Sequence, residues 1–193
     1  MKIGLFFGSF NPVHVGHLII AETAYSKTDL DRVWMVVSPQ NPFKKKKNLL
    51  SEYSRLQMVE LGIGENPHIQ ASNVEFHLPQ PSYTIDTLVH LKEKYPAYEF
   101  SLIMGSDNLR HLHKWKNHEA LLKYHRIFVY PRGELSEDLP FLDHEQVSVF
   151  EAPLLEISST YIRHSLREGY SVRYMVPDSV EEELARSRAY LDI

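Results

Sequence analysis

GSFNPVHVGH, residues Gly8 to His17, lies between an apolar run, Ile3 to Phe7, and a helical pattern, Leu18 to Ala24. A short apolar run ahead of a glycine reads as a strand, and the segment behind it as a helix, so the stretch is a strand-to-helix turn. Gly8, Pro12 and Gly16 shape that turn. His14 and His17 stand three residues apart where the helix begins, which puts both imidazoles on one side of a first helical turn. The free amides of a helix N-terminus favour phosphate, so two imidazoles beside them make a site for a polyphosphate.

Outward from this turn, strand and helix patterns alternate. Strands are predicted over 2–7, 32–38 (RVWMVVS), 69–76, 100–104, 126–130 and 147–150. Helices are predicted over 14–26, 51–65, 84–95, 108–112, 119–124, 159–167 and 179–189. Ser51 can cap the second helix, in which Tyr53, Leu56, Val59 and Ile63 recur at helical spacing. Pro79 and Pro81 stop the third extended segment, and Thr84 opens a helix with Ile85, Leu88 and Leu91 on its inner face. Pro39 and Pro42 mark a loop that ends in four lysines, Lys44 to Lys47, and 133–145 is acidic and irregular. Strands alternating with helices call for right-handed crossovers and a parallel sheet. The prediction is an α/β fold: one doubly wound, Rossmann-like domain over 1–193 with a mainly parallel sheet, its ligand beyond the carboxyl ends of the strands.

The chain has 193 residues, 43% of them hydrophobic, enough for a sizeable core. A formal charge of −4 argues against a general nucleic-acid binder or an anionic-membrane binder, since both rely on a basic surface. With no cysteine, disulfides, cysteine nucleophiles and cysteine-bound zinc are excluded. The apolar run before Gly8 is too short for a signal peptide or a bilayer span, which predicts a soluble cytoplasmic protein. The oligomeric state is left open by the sequence.

GSFNPVHVGH lacks the GxGxxG dinucleotide fingerprint, and the GxxxxGK[ST] phosphate loop is missing as well. His14 and His17 have no glutamate between them as in HExxH, so no protein-held metal is predicted. A second stretch, ISSTYIR (Ile157 to Arg163), opens a helix, and Ser158, Ser159 and Thr160 can cap it and donate to phosphate oxygens. Arg163 lies one turn on, and its fork can grip a phosphate in two places. Alone, this stretch reads more readily as a plain N-cap followed by a surface arginine.

Gly8, Phe10, Pro12, His14, Gly16 and His17 match the GxFxPxHxGH pattern of the nucleotidyltransferases related to class I aminoacyl-tRNA synthetases, and ISSTYIR resembles their second element, ISSTxxR. Within that superfamily the chain is similar to the nicotinate-nucleotide adenylyltransferases. PSYTIDTL (Pro81 to Leu88) resembles a segment whose amides near the Tyr-Thr step bind the nicotinate carboxylate, and MGSDNLRHLHKW (Met104 to Trp115) resembles GxDxxxxxxxW. The resemblance implies catalytic roles for His14, His17, Lys44 and Arg163. It implies ATP binding by Gly8, Ser9, Phe10, Gly16, Gly105, Asp107, Ile157, Ser158, Ser159 and Thr160. It implies mononucleotide binding by Tyr83, Thr84, Trp115 and Lys116, with Trp115 stacking on the pyridine ring. Read alone, Trp115 is more readily a core residue, Asp107 can simply cap its helix, and Arg132 reads as readily as a surface arginine as it does as a residue facing the site.

The match departs from the family at Phe7, where a first glycine is frequent, at Phe43, where the family has histidine, and at Lys116, where an aromatic residue is frequent. Lys44 then supplies the positive charge of its loop. The implied reaction is transfer of AMP from ATP, with Mg²⁺ bound to phosphate oxygens and water, to nicotinate mononucleotide by direct in-line attack. The alternatives are an adenylyltransferase for the amidated mononucleotide or another phosphate acceptor such as phosphopantetheine, and a nucleotide-sensing module that does not turn over.

Overall fold

The apolar run that opens the chain becomes β1 (Lys2–Gly8), and it lies inside a six-stranded, wholly parallel sheet. The computed structural model describes residues 1–40, 49–136 and 138–191. The other strands are β2 (Arg32–Val37), β3 (Ile69–Ser72), β4 (Glu99–Gly105), β5 (Ile127–Tyr130) and β6 (Val147–Val149), in the order β3-β2-β1-β4-β5-β6. That order reverses direction between β1 and β4, and the crevice at their carboxyl ends is where a doubly wound sheet binds ligands.

Successive strand residues face opposite sides and feed two separate cores. Phe6, Val33, Met35, Val37, Ile103, Phe128 and Tyr130 face one, and Ile3, Leu5, Trp34, Val36, Leu102, Met104, Ile127 and Val129 face the other. The first core is covered by α1 (Val15–Lys27), α2 (Glu52–Ile63), α6 (Ser159–Arg167) and α7 (Asp178–Ser187). The second is covered by α3 (Thr84–Lys94), α4 (Ser106–Arg110) and α5 (His118–Tyr124). Helices on both faces are what right-handed crossovers produce. The α/β reading is therefore met, with every pairing parallel.

Two local expectations change, and the irregular reading of 133–145 holds with one buried residue added. The extended reading of 69–76 holds only through Ser72, because a 3-10 turn at Val74–His77 then carries Glu75 inside, where Thr87 Oγ1 donates to its carboxylate at 2.9 Å. In α2 the fully buried residues are Arg55, Met58 and Val59, with Leu56 and Ile63 partly buried against the first core, while Tyr53 is 63% exposed and makes an edge-to-face contact with Phe76. The apolar spacing carries no sign of the arginine that shares its inner face. Residues 133–145 hold no strand or helix among those described, yet Leu139 is buried against the second core.

Candidate active site

The turn after β1 is built on close approaches. Phe10 takes a left-handed conformation (φ 45°) that folds its ring back over Gly8, where a Cβ would stand 2.7 Å from ring carbons. That ring is buried and meets His17 edge-on at 5.0 Å, so its side chain serves the histidine and only its backbone is left for a ligand. His14 is the N-cap of α1, and its backbone N–H donates to His17 Nδ1 at 3.2 Å, which leaves Nε2 as the proton-bearing nitrogen of neutral His17. The two imidazoles stack at 3.6 Å and 27°. Gly16 is needed here, since a Cβ would lie 3.0 Å from His14 Nδ1.

Burial, and after it the positive charge of Arg132, pushes His14 down to about 4 from the usual histidine value. At neutral pH His14 is an uncharged imidazole lying on its partner, which avoids two like charges at stacking distance. Unfolded His14 takes its proton near pH 6.5, so between pH 6.5 and 4 the unfolded chain holds more protons. Stability from this group is complete above the unfolded value and falls with acidification, by on the order of 3 kcal/mol across the window. The urea midpoint is therefore expected to drop from pH 7 to pH 5, and His14→Asn is expected to lose part of that drop. An equal drop in both proteins would remove His14 as the cause.

Three carbonyls of the turn are taken by distant side chains. Arg55 Nη1 donates to Ser9 O at 2.6 Å, Arg163 Nη1 to Asn11 O at 2.8 Å, and Ser159 Oγ to Pro12 O at 2.9 Å. Arg55 is fully buried and also donates to Ser38 O, Pro39 O and Leu50 O, so one guanidinium ties the end of β2 and the start of α2 to the turn. Ser158 caps α6 by accepting the Tyr161 N–H at 3.2 Å, and Thr160 Oγ1 accepts from Arg163 Nη2 at 3.2 Å. The second motif is thus in part a strut: Ser159 and one arm of Arg163 hold the first motif's backbone. Ile157 anchors it by packing against the first core.

At the end of the neighbouring strand, Gly105 precedes α4, and Asp107 and Arg132 crowd the place a Cβ would take. Asp107 makes no cap. Its carboxylate pairs with Arg132 at 3.3 Å, and Arg132 also donates to the Tyr130 hydroxyl. Arg132 thus belongs to this end of the sheet, close enough to bear on His14. Farther along, Tyr83 is the N-cap of α3 and Thr84 its first residue. Lys116 Nζ lies 4.8 Å over the Tyr83 ring and 2.8 Å from Asp86, bringing a cation to that helix start. Trp115 is half-buried and packs, as Tyr83 does, against the second core. Glu75, bonded to Thr87 of α3, is buried, and burial pushes its carboxyl up while the hydroxyls of Ser38, Thr87 and Ser82 act against that shift. Lys44 and Phe43 lie outside the described residues.

Two motifs, joined by a bond between residues 147 apart in the chain, thus meet at one strand-to-helix turn, beside the reversal point of the sheet. A cytidylyltransferase-like family model matches residues 5–165. A probable nicotinate-nucleotide adenylyltransferase of Flavobacterium psychrophilum is 50% identical over 191 residues, covering 98% of this chain and 99% of the relative. One of Cytophaga hutchinsonii is 54% identical over 190 residues, covering 98% of each. The chain belongs to the nicotinate-nucleotide adenylyltransferase family. A solved structure of the Plasmodium falciparum nicotinic acid mononucleotide adenylyltransferase superposes with a TM-score of 0.81 at 20% identity, over 98% of this chain and 97% of that one, and shares the fold.

Family membership leaves unassigned several residues that shape this site and that sequence reasoning passed over: Arg55, Asn11, Glu75 and Tyr190. Arg55 carried one signal, a charged residue in helical register with buried Met58 and Val59. The others form their bonds to residues too far along the chain for spacing to register.

Proposed function

We propose that this chain transfers AMP from ATP to nicotinate mononucleotide in NAD biosynthesis, releasing pyrophosphate and forming deamido-NAD. One oxygen of the mononucleotide's 5′-phosphate attacks the α-phosphorus, and the bond from that phosphorus to the β-phosphate oxygen breaks with its electron pair leaving on pyrophosphate. A phosphate is already an anionic nucleophile at neutral pH, so the protein's part is positioning and charge stabilisation. Family membership and the meeting of the starts of α1 and α6 at the carboxyl end of β1 carry the reading.

In this reading neutral His14 and the Nε2 proton of His17 donate to the α- and β-phosphates, and Arg163 lends its remaining N–H groups and its charge. Gly8, Ser9, the Phe10 backbone and Gly16 let ATP approach the turn, with Gly105, Asp107, Ile157, Ser158, Ser159 and Thr160 around it. Lys44 is assigned a further positive charge on family resemblance alone. The amides at Tyr83 and Thr84 take the nicotinate carboxylate, helped by the Lys116 ammonium, and Trp115 takes the ring. Mg²⁺ on the triphosphate supplies charge neutralisation. The turn offers imidazoles, guanidinium and amides, which suit phosphate oxygens, so the ion fits as a passenger of ATP. We also propose that the whole chain is one such domain, acting in the cytoplasm; among the described residues no helix is long and apolar enough to cross a membrane.

The test is pyrophosphate release from ATP and Mg²⁺ with nicotinate mononucleotide, nicotinamide mononucleotide or phosphopantetheine. Release fastest with the first is expected, a preference for another acceptor would reassign the substrate, and no release with any would favour a sensing module. Trp115→Ala is expected to raise the KM for the mononucleotide by about tenfold, as loss of one stacking platform does, and to change that for ATP much less. An unchanged mononucleotide KM would return Trp115 to the core.

A further inference from the structure

Beyond α7 the chain turns sharply at Arg188 (φ 52°) and Tyr190 (φ 70°), both in the left-handed region that side chains seldom adopt. The turn drives the Tyr190 ring inward until it is 1% exposed within the first core. There its hydroxyl donates to Asn11 Oδ1 at 2.7 Å, a buried bond between residues 179 apart in the chain. The same Oδ1 accepts the Leu50 N–H at 3.2 Å, and the Asn11 carbonyl holds Arg163 Nη1 at 2.8 Å. Asn11 therefore joins three distant segments just ahead of the paired histidines.

Packing alone does not account for the hydroxyl. A phenylalanine ring would fill the same space, and a buried hydroxyl that finds its partner adds little net stability, whereas leaving that partner unmet is costly. What the bond adds is direction, since it fixes the asparagine whose backbone fixes the arginine. We propose that Tyr190 is a positioning residue for triphosphate binding: through Asn11 it sets the aim of Arg163, so the segment after α7 is part of the phosphate-binding machinery. The proposal rests on the assignment of this turn to ATP.

The test is a double-mutant cycle of Tyr190→Phe with Arg163→Ala, read both as ATP affinity by calorimetry without acceptor and as turnover. Tyr190→Phe keeps the ring and is expected to melt close to the parent. With Arg163 present it is expected to weaken ATP binding about fivefold and lower kcat about tenfold, leaving the mononucleotide KM within about twofold. In Arg163→Ala both factors should shrink to below about twofold. Equal factors in the two backgrounds would overturn the proposal, because Tyr190 would then act on the fold at large, and so would unchanged ATP affinity and kcat. Because ATP affinity is read without acceptor, a protein that bound ATP yet released no pyrophosphate would refute the adenylyltransferase reaction and still decide the role of Tyr190.

Discussion

His17→Ala is expected to cut pyrophosphate release by about 10²-fold or more, the cost of removing one donor aimed at developing phosphate charge. The fold should survive the change. His17 is only half-buried, and its ring lies at the margin of the first core, held by the His14 N–H, the His14 ring and the Phe10 ring. The loss should fall on kcat, because neutral His14 still lies in place to meet ground-state ATP. Assay with nicotinate mononucleotide, beside a melting curve, reads both effects. Near-normal turnover would remove His17 from the chemistry, and a melting temperature lower by more than about 10 °C would make the ring a structural element first.

Arg55→Ala is expected to have the largest effect on stability. The guanidinium is fully buried, and its bonds go to four main-chain carbonyls, those of Ser9, Ser38, Pro39 and Leu50. Truncation leaves those acceptors inside the protein without their donor and opens a cavity where the side chain lay. Each unmet buried acceptor costs about 1–3 kcal/mol, so even with partial relaxation a loss of about 4 kcal/mol or more follows. Against a total of roughly 5–15 kcal/mol this is a large share, and it corresponds to a fall of about 10 °C in melting temperature. Arg55→Lys keeps the charge but has no fork to reach both strand ends, so an intermediate fall is expected. A fall of less than about 3 °C for the alanine variant would show that water or rearranged backbone meets those carbonyls instead.

The difference between these two residues marks how far the site could be read from its letters. His14 and His17 stand on one turn of one helix, and their stacking follows from a spacing of three and the glycine between them. Thr84, Ser51 and Ser158 likewise open their helices or cap them from the neighbouring position, and the structure places them so. Ser159 and Arg163 were legible as residues of a phosphate-binding motif, but not as struts of the other motif, because their acceptors lie 147 and 152 residues away. Asp107 reads as a helix cap and instead pairs with Arg132 from the segment just after β5. The inner face of α2 is legible at Leu56, Val59 and Ile63, which pack in or against the first core, but not at Arg55, since a hydropathy stripe cannot show that an arginine is buried when its partners are main-chain oxygens.

The sequence by itself determined the alternation of strand and helix, the parallel sheet, and the turn at Gly8 to His17 with its two imidazoles. These depend on periodicity, capping and φ preferences, which act within a few residues. Only the tertiary structure decided which polar groups lie inside and what they hold: Arg55 on Ser9, Arg163 on the Asn11 carbonyl, Tyr190 on the Asn11 side chain, and His14 kept neutral by its burial. A buried polar group is set by partners that folding brings from anywhere in the chain, and local spacing carries no trace of them.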